Sequence, residues 1–365
     1  MEPFKPDILP LKNLNWESYI PLIGEANREI ARYDGILQSI AEPELLLAPL
    51  TVQEAVLSSK IEGTRASIED VLMYQSDKDE DNPLFPDIQE VLNYRNALHL
   101  GVKRIDKDNF PLSLRLIKEI HKELLKGVRG REKDPGNFRR IQNWIGKPGS
   151  KQEKASFIPP APQMIMPSMD NFEKYLHYNE KDRLVQLAVI HAQFEIIHPF
   201  LDGNGRLGRI MLPLFLYEKD ILSQPLFFIS AYFESDRNQY YRRLRSISSS
   251  NDWDGWITYF LETIIFQSKK NILIIRKILD LYDVMKFIVA DITHSRYSIR
   301  TIDFIFSTPL FSSSEFINKT LIPRDSALRI LKILTKTKTI NIKRKGRGAK
   351  PALYVFNKLF DIINQ

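Results

Sequence analysis

"RLVQLAVIHAQFEIIHPFLDGNGRLGRIMLPLFLYE", residues 183–218, sets the frame for the chain. Its first part, 183–197, is apolar on nearly every side, which predicts a helix buried in the middle of a domain rather than one lying on a surface. After the glycines, Leu207, Ile210, Met211 and Leu214 restart an i, i+3, i+4, i+7 stripe, so a second helix is predicted over 204–218. The stretch between them, "HPFLDGNGRLGR" (198–209), is a loop that runs into the start of that second helix.

Working outward, "WESYIPLIGEANREIARYDGILQ", "DIQEVLNYRNALHLGVKRI" and "LSLRLIKEIHKELLKGV" repeat apolar residues at helical spacing. One segment breaks the pattern. "NWIGKPGSKQEKASFIPPAP" places two short apolar runs around a Pro-Gly-Ser turn, which predicts a surface β-hairpin from about Asn143 to about Ile158. A third region starts near Arg300. There "SSSEFINK" and "RDSALRILKIL" predict two short helices, and "TINIKRKGRGAKPALYVFN" two strands around a basic, glycine-rich turn. Helix, helix, then hairpin is the pattern of a winged helix.

Composition narrows the class. The 365 residues predict two or three domains, and 43% hydrophobic with 27% charged is ordinary for a globular protein. The absence of cysteine excludes disulfides and thiolate metal sites. Charges interrupt every apolar run, so no membrane partner is expected. Acids and prolines stand where a secretion signal would need an apolar core, and a cytoplasmic location is the simplest reading. From Leu321 onward eleven Lys or Arg face two acids; that +9 leaves −2 for the rest of a chain whose total is +7. Such asymmetry predicts an appended basic module.

The 198–209 loop reads as an anion site. The first turn of helix 204–218 would present free backbone N–H groups to the loop. Gly203 and Gly205 allow close backbone approach, and Asn204 can take a left-handed turn or donate a hydrogen bond. Arg206 and Arg209, three apart, reach one side of the helix start. Together these make a polyphosphate site. Asp202 offers a hard oxygen for Mg²⁺ bridging phosphates, and the His198 imidazole could take a proton near neutral pH. A glycine-rich helix junction with a structural histidine would account for a lone Gly-x-Gly, but not for so many suited positions within twelve residues. Phe200 is expected to be core that pins the turn.

"HPFLDGNGRLGR" resembles the HPFx[D/E]GNGRxxR signature of the Fic family at every fixed position. "GNFRRIQNWIG" and "FIPPAP" resemble the strands of that family's flap, and the resemblance covers roughly residues 45–260. It implies a mainly α-helical Fic core with a β-hairpin flap, and a protein adenylyltransferase that moves AMP from ATP to a Ser, Thr or Tyr hydroxyl of a target protein. By position, His198 would be the base, Asp202 the Mg²⁺ ligand, and Gly203, Asn204 and Gly205 the cradle of the α- and β-phosphates. Arg206 would hold the β-phosphate and Arg209 the γ-phosphate, with Leu207 and Gly208 completing the nucleotide-binding run. "NQYYRRL" resembles the segment whose tyrosine lines the adenine pocket, so Tyr240 and Tyr241 are candidates, each equally readable as core. An extended target segment is expected to add a strand at the edge near Ala155–Ile158.

"SSKIEG", Ser58 to Gly63, resembles the [S/T]xxx[E/N][G/N] inhibitory motif of many members. Ser58 and Glu62 are i, i+4 on one helix face, and Gly63 suits the helix end. A surface helix end would explain six residues alone. Beside a phosphate site, Glu62 is expected to pair with Arg209 and fill the place of the γ-phosphate. Among the other histidines (His99, His121, His177, His191 and His294) no pair has metal-ligand spacing, and Glu195 is expected to be a satisfied structural carboxylate.

The expected organisation is an N-terminal helical region over 1–105 with the inhibitory helix at about 45–63. A Fic core over 106–260, connecting helices over 261–299 and a winged helix over 300–365 complete it. In that last unit Ala327, Ile330, Leu331 and Leu334 would face inward and Arg324, Arg329 and Lys332 outward, with "KRKGRGAK" as a cationic wing. DNA and protein are both open as its partner, and so is a homodimer. Two rival functions remain: a Fic-fold transferase with another phosphate-containing donor, and a DNA-binding regulator with a weakly active Fic core.

Overall fold

A computed structural model describes residues 2–127, 132–146, 155–348 and 350–364. The N-terminal part holds α1 (Trp16–Ser39), the single turn α2 (Pro43–Leu46), α3 (Ala48–Ile61), α4 (Ile68–Ser76) and α5 (Phe85–Asp106). Side chains set several of their starts. The Asn15 side chain accepts from Ser18 N at α1, and Ser67 with Asp70 forms a reciprocal capping box at α4. The core follows with α6 (Leu114–Leu124), α7 (Pro162–Leu176), α8 (Arg183–Ile197), α9 (Asn204–Glu218), α10 (Ser230–Ser235) and α11 (Arg237–Ser250). Asp182 caps α8 by accepting from Leu184 N and Val185 N, both at 2.9 Å.

The two helices of the opening stretch have the expected bounds, and nearly every side chain of both is buried. They form the centre of the molecule. α9 packs on α8, α5 and α6, while α8 also meets α7, α11 and α1. Gly101 permits the close approach of α5 to α9, since a Cβ there would stand 2.6 Å from Leu214 Cδ1.

α12 (Trp253–Thr293) is unbroken over 41 residues, about 60 Å at the α-helical rise. No element therefore ends at the expected 260/261 boundary. The helix begins in the core, where Trp256 Nε1 donates to Ala188 O at 2.8 Å, and runs alongside α1. Tyr19 hydrogen-bonds Asp254, and Lys269 pairs with Glu25 at 2.6 Å, so the N-terminal region is fastened to the core along that length.

The last region contains α13 (Ser298–Ser307), β1 (Leu310–Ser312), α14 (Ser313–Thr320), α15 (Arg324–Lys336), β2 (Asn341–Arg344), β3 (Leu353–Val355) and α16 (Asn357–Ile363). The strands form an antiparallel sheet of order β1-β3-β2. The expected boundary at 300 falls inside α13. As expected, Ala327, Ile330, Leu331 and Leu334 of α15 are buried, and Arg324, Arg329 and Lys332 are exposed. The unit is not simply appended: it packs on α2, α3 and α4. Lys343 pairs with Glu69 at 2.7 Å, and Arg344 with Asp77 at 2.6 Å. Ser76 Oγ donates to Glu315 at 2.8 Å. No helix among the described residues is long and apolar enough to cross a membrane.

Of the expected hairpin over 143–158, the structure holds an antiparallel bridge between Ile145 and Phe157. The turn at 147–154 lies outside the described residues. The edge expected to receive a target strand is partly taken by the chain's own start. Phe4 N donates to Ile158 O at 2.9 Å, and the Phe4 ring meets Phe157 at 5.7 Å.

Candidate active site

Two left-handed residues shape the loop: His198 (φ 49°), which ends α8, and Gly203 (φ 78°), which precedes α9. The loop is locked from inside. Asn204 Oδ1 accepts from Phe200 N and its Nδ2 donates to Phe200 O, both at 2.9 Å. The Asn204 side chain therefore closes the turn, and only its backbone is left for a ligand. Phe200 is wholly buried and stacks on His121 at 3.7 Å, as befits a core pin. His121 itself is a loop support: Gly136 N donates to its Nδ1 at 2.8 Å, and its Nε2 lies 2.9 Å from Asp202 O. Burial depresses its pKa to about 4.

Sequence reasoning missed Arg139. Its guanidinium is buried and donates to the backbone oxygens of His198 (2.9 Å), Ile141 (3.1 Å) and Pro160 (2.5 Å). One side chain thus ties the 198–209 loop to the segments on both sides of the hairpin bridge. The only trace in the sequence was an arginine inside a flap-like segment.

His198 sits on the wall of an open cleft of about 840 Å³. Its Nδ1 lies 3.3 Å from Glu195 O, which assigns the proton to Nδ1 and leaves the Nε2 lone pair free. Burial lowers its pKa to about 4, so it is neutral at physiological pH.

Arg209 is almost fully buried, and two of its three guanidinium nitrogens are engaged. Its Nε donates to Ser58 Oγ (2.8 Å), and one Nη donates to both Ser58 O (2.8 Å) and Glu62 Oε1 (2.7 Å). Glu62 caps α3, with Gly63 beyond it at φ 101°. Burial pushes the Glu62 carboxyl up, but Arg209, Arg206 and His198 outweigh it and the net shift is down. The carboxylate also rests on Gly205, where a Cβ would lie 2.1 Å from Oε1. The structure thus brings Ser58, Glu62, Gly205 and Arg209 together from segments some 150 positions apart. Arg206 is turned the other way: it pairs with Glu90 at 3.0 Å and approaches Asp202 at 3.5 Å. Glu90 had no signal in the sequence.

Glu195 corrects an expectation. Its Oε1 is buried without a partner among the described residues, and burial raises its pKa to about 8. It fills the space over Gly208, where a Cβ would lie 2.5 Å from Oε1. Leu207 is core. Tyr240 and Tyr241 both line the cleft, but the Tyr240 hydroxyl is committed to His191 Nε2 at 2.8 Å.

The profile described as Fic/DOC family N-terminal matches residues 20–103, and that described as Fic/DOC family matches 111–216. A probable protein adenylyltransferase of Aquifex aeolicus (strain VF5) is 30% identical over 186 residues, which cover 49% of this chain and 52% of that protein. The protein adenylyltransferase Fic of Aedes aegypti is 31% identical over 132 residues, 34% of this chain and 23% of that protein. The chain thus spans about half the length of the first relative and under a quarter of the second. Among solved structures, a Fic family protein from Desulfovibrio desulfuricans G20 matches with TM-score 0.60 and 18% identity over 96% of this chain and 98% of that one. A Fic-1 fragment from C. elegans matches with TM-score 0.55 and 18% identity over 70% and 72%. With the two profiles matched in order across more than half of its length, and its mainly helical fold shared with those neighbours, the chain belongs to the Fic/DOC family.

Proposed function

We propose that the chain is a protein adenylyltransferase that moves AMP from ATP onto a Ser, Thr or Tyr hydroxyl, on a target protein and on itself, and that Glu62 restrains it. The observation carrying this reading is a neutral, partly buried His198 facing the same cleft as Gly205 and Arg209 at the start of α9. The names of the similar proteins support it. The target oxygen attacks the α-phosphorus, forming an O–P bond as the bond to the β-phosphate oxygen breaks. The hydroxyl proton passes to His198 Nε2, and pyrophosphate leaves. Backbone N–H groups of Asn204 and Gly205 donate to phosphate oxygens at the helix start, joined by that of Gly203 once it leaves Asp202 Oδ1. Arg209 binds the γ-phosphate once Glu62 withdraws.

Asp202 fits a supporting role toward Mg²⁺. Its carboxylate is 41% exposed and only Oδ1 is occupied, by Gly203 N at 2.6 Å. No group of three acidic or histidine side chains stands ready for a metal among the described residues. One carboxylate beside the phosphates suits an ion that keeps several waters. When bound, Mg²⁺ would neutralise phosphate charge there.

We also read the 298–363 unit as a winged helix, on its element order and its β1-β3-β2 sheet. Incubation with α-labelled or γ-labelled ATP tests the main proposal. Protein should retain only the α label, and His198→Ala should lose it while still binding nucleotide, since general-base catalysis contributes roughly 10²- to 10⁴-fold. Retention of the γ label would make the chain a phosphotransferase and sink the reading.

A further inference from the structure

A second open cleft of about 460 Å³ lies away from the loop, between α3, α4 and α5, with Pro225 and Leu226 on its rim. Arg95 stands in its wall. Among the described residues its guanidinium has no ion pair, and its Nε is buried without any hydrogen-bond partner. Burial alone moves its pKa, downward, and no acidic group acts against that. A half-buried guanidinium whose Nε is left unpaired is costly in a folded protein, and where it opens on a cleft it can be offered to an anion.

The remaining lining says what kind of anion. His99 lies one turn from Arg95 on the same face of α5, and Gln75 and Gln89 contribute amides that can donate or accept. Leu92 and Val102 add an apolar strip, which a bare inorganic ion would leave unused. Glu44 shares the lining without coming within ion-pair distance of Arg95, so the end of a ligand facing it must donate hydrogen bonds.

We propose that this cleft binds a small organic molecule carrying an oxyanion, carboxylate or phosphate, against Arg95 and an ammonium or other donor toward Glu44. The planar guanidinium suits both oxyanions, because each can accept two parallel N–H bonds. The site shares no lining residue with the 198–209 loop and does not depend on the adenylyl-transfer reading.

Thermal unfolding of the full chain tests it with three probes: inorganic phosphate, phosphoethanolamine and 4-aminobutyrate. A ligand that binds only the folded state raises the midpoint with the logarithm of its concentration. Wild type should respond to phosphoethanolamine if the oxyanion is phosphate, or to 4-aminobutyrate if it is carboxylate. Inorganic phosphate should do less than the matching organic probe. Arg95→Met keeps the apolar stem and should abolish that response. Without ligand, Arg95→Met should unfold at the wild-type midpoint or above, since it removes an unpaired charge. No response from wild type, an equal response from Arg95→Met, or a ligand-free Arg95→Met less stable than wild type would each overturn the proposal.

Discussion

Arg209 of α9 donates to Glu62, the cap of α3, at 2.7 Å, and the carboxylate it holds lies directly over Gly205. One acidic side chain thereby occupies both the arginine and the glycine that a phosphate would need. ATP would have to displace a charge-assisted hydrogen bond and then bring negative oxygens against a negative group.

Glu62→Gly should therefore raise transfer, including self-modification, by at least about tenfold. Like charges at ~4 Å repel by about 4 kcal/mol at a surface-like dielectric before water and salt reduce it. Even half of that exceeds the roughly 1.4 kcal/mol that corresponds to tenfold in rate. Glu62→Asp should release less, and Arg209→Ala should not release at all, because it removes a phosphate ligand along with the partner. Steady-state incorporation of the α label reads all three. An unchanged or lower rate for Glu62→Gly would reduce "SSKIEG" to a helix end.

Ser58 has more to do than support the end of α3. Its hydroxyl and its carbonyl both accept from Arg209, and it is fully buried. Ser58→Ala leaves the Arg209 Nε unpaired inside the protein, which costs about 1–3 kcal/mol. The expected result is a lower urea midpoint together with partial activation, smaller than that of Glu62→Gly. Wild-type stability in Ser58→Ala would mean that water replaces the hydroxyl.

Much of this was legible in the sequence because it depends on local pattern. The apolar character of 183–197 and the stripe from Leu207 marked α8 and α9 to the residue, and the i, i+4 spacing of Ser58 and Glu62 put both on one face. What the sequence hid depends on distant partners. Arg139 acts through three backbone carbonyls, which no periodicity reports, and Glu90 faces Arg206 across 116 positions. An all-apolar helix told of Glu195's burial but not that its oxygen would lie over Gly208 unpaired. The continuity of α12 was masked by a domain boundary placed where the family resemblance ends, and Phe4 took the flap edge from a segment without any motif.

Among the described residues, the basic tail divides into cations held in ion pairs and cations without one. Lys343 and Arg344 pair with Glu69 and Asp77, whereas Lys345 and Arg347 are exposed. If the unit binds DNA, Lys345→Gln and Arg347→Gln should each flatten the salt dependence of log K by roughly 0.9. Lys343→Gln and Arg344→Gln should change it less, since those side chains must first leave a carboxylate. Titration of duplex DNA with the full chain at several salt concentrations decides this. Equal slopes for all four variants would refute the division, and no salt-sensitive binding by wild type would point to a protein partner.

The final prediction concerns pH. Burial raises Glu54 to about 7, against the opposing hydrogen bonds from Ser230, and raises Glu195 to about 8. Both start from an ordinary value of 4.5. Between that value and the raised one, the folded chain holds a proton that the unfolded chain has lost. Stability must then fall as pH rises through that window, at up to ~1.4 kcal/mol per pH unit for each group. The buried histidines His121, His191 and His198, lowered to about 4, 3 and 4, act in the opposite sense between those values and about 6.5. They are common to every variant, so the difference between proteins isolates the carboxyls. From about pH 5 to about pH 8 the urea midpoint of Glu54→Gln or Glu195→Gln should therefore climb relative to that of wild type at the same pH. The Glu195 variant should keep diverging from wild type above neutrality, where Glu54 is already ionised. Parallel profiles would mean that neither carboxyl holds its proton in the folded state, and that Glu195 finds a partner over Gly208.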